Sequence, residues 1–151
     1  MVRVACIQWC LLCVFYRIAM SLTVTWSDPA REALFKQWLN KVTAQHGLQP
    51  DTLVVANADA SFRRYLRIAS AHGTRIIMDA PPDKENCQPF VQVARLMQEA
   101  KLNAPEILDW DEAAGFMLLS DLGGSTMITA LSPEQPEQAL PLYKQAVDIL
   151  L

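Results

Sequence analysis

The sequence predicts an α+β fold: a five-stranded antiparallel sheet with a helix packed on it, then the start of a helical region. Three observations carry this. Apolar residues recur at helical spacing between 29 and 45. Three strand-like segments with short turns follow between 52 and 79. A second helical pattern from Asn86 then leads into one more hairpin.

The first helix is expected over Pro29–Gln45, with Asp28 as its cap and Pro29 at its first position. Leu34, Trp38 and Val42, flanked by Phe35 and Leu39, form its apolar stripe, and Gly47 stops it. Strands follow at Thr52–Ala56, Phe62–Ala69 and Thr74–Asp79. Alternation in the second puts Arg63, Tyr65 and Arg67 on one face and Leu66 and Ile68 on the other. Gly73 suits the tight turn into the third strand, and Pro81-Pro82 ends it, because proline cannot donate to a ladder.

Asn86 is placed to cap a second helix running to about Lys101, with Phe90, Val93, Met97 and Ala100 on its buried side. Glu106–Trp110 and Gly115–Asp121 read as the last hairpin. Gly123-Gly124 breaks the pattern. Beyond it, Ser125–Leu131 reads as a short helix, Ser132 with Gln135 as a capping box, and Leu142–Leu151 as an apolar helix.

Composition narrows the function classes. A net charge of −3 argues against a general nucleic-acid surface. The arginines are nonetheless clustered, with Arg63, Arg64, Arg67 and Arg75 close together, which reads as a local anion site. Hydrophobic content is 52%, and part of that excess lies in the first 20 residues. The run Val4–Ile18 is shorter than the ~20 residues a spanning helix needs. It reads as an extension upstream of a start at Met20, as a signal or membrane anchor, or as a packed helix. Cys6, Cys10 and Cys13 match a cluster-binding spacing and equally one apolar helix face. The second reading is adopted, since no repeated strand–helix units accompany them. With Cys87 they form no disulfide framework, which points to a reducing cytoplasm.

Three segments carry a resemblance: Ala58-Asp59-Ala60-Ser61-Phe62-Arg63-Arg64-Tyr65, Met78-Asp79-Ala80-Pro81-Pro82-Asp83-Lys84-Glu85-Asn86, and Gly115-Phe116-Met117-Leu118-Leu119-Ser120-Asp121-Leu122-Gly123. Together they resemble the bacterial sugar kinases related to aminoglycoside phosphotransferases, specifically the N-acetylmuramate/N-acetylglucosamine anomeric kinases of cell-wall recycling. The resemblance runs from about Arg31 to Leu151. It implies a protein-kinase-like N-lobe over 21–122, an N-terminal extension over 1–20, and a hinge with the first C-lobe helices over 123–151.

The resemblance further implies that ATP phosphates lie at Ala58, Asp59, Ala60 and Ser61, with Arg63 and Lys84 as charge partners. Small residues in such a turn let backbone N–H groups approach phosphate. Asp121, Leu122 and Gly123 would be the adenine hinge, and Asp79 stands roughly where general kinases carry a lysine. The implied partners are ATP, Mg²⁺ and an amino sugar, with no nucleic acid and no membrane unless residues 1–20 act as an anchor.

Such kinases take their base and metal ligands from a His-Gly-Asp…Asn loop and a later Asp. Neither His46 nor His72 precedes Gly-Asp. The chain is therefore expected to be a nucleotide-binding lobe without its catalytic half, inactive alone. The alternative is a non-catalytic, kinase-like nucleotide- or partner-binding module, membrane-tethered through 1–20.

Overall fold

A computed structural model describes residues 24–58, 61–124, 131–132, 134 and 136–148. The apolar leader and the Ser125–Ala130 part of the expected short helix lie outside the described residues.

Helix α1 spans Pro29–His46. Its Asp28 cap is extended and accepts a hydrogen bond from the Ala30 N–H at 2.8 Å. Gly47 ends it in the left-handed region at φ 59°, with its N–H donating to the Thr43 carbonyl. Phe35, Trp38, Leu39 and Val42 are buried, while Leu34 stays 49% exposed. The seam is thus rotated from the expected stripe toward Phe35 and Leu39.

The sheet comprises β1 (Leu48–Ala58), β2 (Arg64–Ser70), β3 (Gly73–Asp79), β4 (Ile107–Asp111) and β5 (Phe116–Ser120). Its order is β1-β2-β3-β5-β4, with every neighbouring pair antiparallel. β1 is longer than expected because it is irregular: its register against β2 shifts between Gln49 and Val54. Thr52 holds that bulge, its hydroxyl donating to the Gln49 carbonyl at 2.7 Å and accepting from the Ala69 N–H at 2.8 Å.

Strand parity divides the core in two. Leu66, Ile68, Ile77, Phe116 and Leu118 pack against α1. Tyr65, Ile76, Met78, Met117 and Leu119 lie on the opposite face, with Val91 of helix α2 (Gln88–Glu99). β5 is buried on both faces from Phe116 to Leu119.

α2 departs from its expected limits. It starts at Gln88 after Cys87, and Asn86 instead accepts the Gln88 N–H at 3.0 Å, one turn-forming step earlier. Val91 and Ala94 are its buried residues, whereas Val93 and Met97 are 53% and 38% exposed. Helix α3 (Ala139–Asp148) follows a short 3₁₀ turn and, unlike α2, begins earlier than expected. None of its residues is buried, and Tyr143 and Val147 stand exposed. Of the expected capping box, Gln135 lies outside the described residues; the Ser132 hydroxyl accepts the Glu134 N–H.

Candidate functional site

Strand β2 sorts the arginines. Tyr65 pairs with Met78 and Arg67 with Ile76, so the row Arg63–Tyr65–Arg67 runs along the α2 face, as alternation predicts. Arg64 points the other way, toward α1.

At one end of that row lies the β1–β2 connection. Asp59 and Ala60 fall outside the described residues, and Ala58 is the last residue of β1, paired with Arg64. The Ser61 hydroxyl accepts from the Arg63 N–H at 3.2 Å. Glu85 holds the exit of the connection with both carboxylate oxygens: one accepts the Phe62 N–H, the other Arg63 Nε, each at 3.2 Å. Burial works against the Arg63 charge, but its bond to Tyr65 and the nearby Glu85 outweigh burial and hold its pKa above the ordinary value. Burial likewise pushes the Cys87 thiol up, an effect that Arg63 partly offsets.

Glu85 sits on a rigid support. Lys84 and Glu85 both donate their N–H to the Pro81 carbonyl at 2.9 Å, and the Ala80 N–H donates to Gly115 O at 2.9 Å. Sequence reasoning missed Glu85; its place directly before a helix, opposite a basic strand, was the available signal.

Lys84 does not join Arg63. Its ammonium lies 5.2 Å from the Phe62 ring centre. It lines a cavity of about 500 Å³ on the α1 side, with Arg31, Arg64, Phe62 and Asp79. The two expected charge partners thus occupy different faces.

Asp79 also faces α1, so it does not substitute for a kinase lysine. It is 4% exposed and bridges two arginines. Arg31 reaches one oxygen and Arg64 the other, both at 2.7 Å. Arg31 also stacks on Phe116 at 3.9 Å and Arg64 on Trp26 at 3.8 Å. This triad is structural: it ties the entry segment, α1 and the sheet together.

At the other end of the row, Arg67 grips the crossover that follows β5. Its Nε donates to one Asp121 oxygen at 2.7 Å and its Nη2 to the other at 3.1 Å. The same Nη2 donates to the Gly123 carbonyl at 3.1 Å, and the Gly123 N–H donates to Asp121 Oδ1 at 2.9 Å. Burial would raise the Asp121 pKa, but the bonds from Arg67, Thr74 and the Gly123 N–H hold it below the usual carboxylate range. Leu122 is 55% exposed beside this network. Both main-chain groups of Gly123, the expected hinge residue, are therefore already engaged.

Among the described residues, no group of three His, Cys, Asp or Glu side chains could hold a metal ion. Asp79, Glu85 and Asp121 are each paired with arginine. These carboxylates do not fit a Mg²⁺ site. Among the described residues, no helix is long and apolar enough to cross a membrane.

No family model matches the chain. It is similar to a curated protein named N-acetylmuramate/N-acetylglucosamine kinase from Pseudomonas aeruginosa, 38% identical over 132 residues, covering 83% of this chain and 38% of that protein. A Pseudomonas putida protein of the same name is 38% identical over 130 residues, covering 86% of this chain and 36% of its own length. A third, from Neisseria meningitidis, is 39% identical over 110 residues, covering 72% and 31% respectively. The chain thus spans somewhat over a third of the length of the Pseudomonas relatives.

Proposed function

We propose that this chain is the ATP-binding lobe of a phosphotransferase acting on an amino sugar of the N-acetylmuramate/N-acetylglucosamine type. The observation that carries this is the likeness, at 38% identity over most of the chain, to proteins named for that activity. In this reading the N-lobe covers 21–122, and 123–151 is the pivot with the first helices of a second lobe. Cytoplasmic location belongs to the same proposal.

The α2 face of β2 supports the nucleotide part. Arg63 immediately precedes β2 and Arg67 lies within it four residues on, a span of about 13 Å for extended backbone. One end of that row meets the β1–β2 connection and the other meets the crossover. Polyphosphate at the first and base at the second is the arrangement we favour. Glu85 takes the Nε edge of Arg63, and the guanidinium carries further donors on its terminal nitrogens. A phosphate would meet an arginine already held by Glu85 and Tyr65. The assignment of Ala58–Ser61 to the phosphates and of Lys84 to a charge partner stays a proposal. For Lys84, the approach must come from the α1 side.

The carboxylates paired with arginine do not fit Mg²⁺. In this reading the metal, the base and the sugar contacts come from the second lobe.

Titration of ATP–Mg²⁺ into the chain tests the reading. Saturable binding is expected. Arg63→Ala should weaken it about tenfold or more, the scale of one charge-assisted hydrogen bond. Unchanged affinity would remove Arg63 from the phosphate site. Transfer of labelled γ-phosphate to N-acetylglucosamine is expected from a protein that spans the relatives' full length and not from this chain alone.

A further inference from the structure

We infer that Glu85 is a positioning residue for nucleotide phosphate: it sets the Arg63 guanidinium in place and acts on affinity through that side chain. The inference rests on the nucleotide reading above and deepens it. Two consecutive residues at the exit of the β1–β2 connection share this one carboxylate. Phe62 donates its N–H to one oxygen and Arg63 its Nε–H to the other, each at 3.2 Å. The first contact fixes main chain, and the second fixes the side chain that follows it. Both charged side chains are mostly withdrawn from water, at 15% exposure for Glu85 and 25% for Arg63.

Glu85 is itself anchored. Its N–H donates to the Pro81 carbonyl at 2.9 Å, and the Ala80 N–H donates to Gly115 O at 2.9 Å. A Cβ at Gly115 would stand 2.0 Å from the Ala80 carbonyl oxygen, so only glycine lets the two segments come this close. Tyr65 bonds the same guanidinium from β2, but Glu85 holds the backbone at Phe62 as well.

An unheld arginine has many rotamers to lose when it meets a ligand; one fixed by its Nε edge has fewer. The terminal nitrogens of the fork then face phosphate from a set position. The carboxylate also repels phosphate, but it is bonded to the guanidinium, and the fields of such a pair largely cancel. Positioning therefore outweighs repulsion, and loss of Glu85 weakens ATP binding.

The experiment titrates ATP–Mg²⁺ into the whole chain and into Glu85→Ala, Glu85→Gln, Arg63→Ala and the double variant Glu85→Ala/Arg63→Ala. Glu85→Ala should weaken ATP about tenfold, within the range of couplings inside one hydrogen-bonded network. Glu85→Gln keeps one acceptor oxygen where two are used, and its loss should be smaller. In the Arg63→Ala background Glu85→Ala should add less than about twofold, because the group it holds is gone. Equal losses in the two backgrounds indicate a merely structural role and overturn the inference. Tighter ATP binding by either Glu85 variant overturns it too, since repulsion would then dominate. Where Glu85→Ala does not fold, as read by its urea transition, wild-type affinity in Glu85→Gln overturns it. Unchanged affinity in both Glu85 variants, with Arg63→Ala still weakened, overturns it and leaves the nucleotide reading intact. A wild-type chain that binds no ATP removes the nucleotide reading, and this inference with it.

Discussion

Asp79, the last residue of β3, shows what parity adds to a motif. Its neighbour Met78 lies on the α2 face, so Asp79 must face α1, where Arg31 and Arg64 take its two oxygens. Removing the carboxylate leaves two largely buried guanidinium groups without their counter-charge, although Arg31 keeps its carbonyl partners Ala114 and Gly115 and Arg64 keeps Thr25. Asp79→Ala is expected to cost about 3–5 kcal/mol, read as a lower urea midpoint with an unchanged slope. A loss under about 1 kcal/mol would show that the triad does not bind the entry segment to the sheet. Asp121 makes a pH-dependent prediction. Its folded pKa lies below the ordinary ~3.9, so its contribution is complete above that value and is lost as pH falls through the folded one. Carbon-13 titration should show the depressed value, and Arg67→Ala should move it upward. Alternation alone put Arg63, just before β2, and Arg67, within it, on one face. It could not reveal that Glu85 and Asp121 are their partners, because those contacts join residues 22 and 54 positions apart.

At the scale of elements, the helices were legible to different degrees. α1 carries both of its stop signals in local chemistry, an Asp-Pro start and a left-handed glycine end, and its span was readable to within a residue. α2 has no such start, and its burial is set by the sheet it lies on rather than by its own periodicity. Val91 and Ala94 face the sheet while Val93 does not. Val91→Ala should therefore cost about 2 kcal/mol and Val93→Ser under about 0.5 kcal/mol in chemical denaturation. Equal costs would mean that the expected stripe was right after all. The β4–β5 turn gives a sharper contrast. Gly115 has φ +70°, and a Cβ there would stand 2.0 Å from the Ala80 carbonyl oxygen. Gly73 has φ +98° with nothing within 4 Å. Gly73→Ala should cost only the left-handed penalty of about 1–2 kcal/mol, and Gly115→Ala distinctly more, since it also displaces the support beneath Glu85.

Across the whole molecule, the sheet separates two kinds of work. The α1 face holds the larger aromatic core and the Asp79 triad, and so fixes the fold. The α2 face carries Arg63, Tyr65 and Arg67 between the two loops where a ligand would touch main chain. The class and the antiparallel arrangement followed from sequence because hairpins and helical stripes are local signals. The division of candidate residues between faces did not, since Lys84 reaches the α1 side through a loop whose path depends on Pro81 and Gly115. The exposed apolar side of α3 belongs to this scale as well. The most direct test of the account is an amide-resolved ATP titration of the chain. Saturable shifts are expected at Ser61–Tyr65, Lys84–Glu85 and Asp121–Gly124. Shifts centred on α1, around Arg31 and Leu34, or none at saturating ATP, would contradict the nucleotide reading.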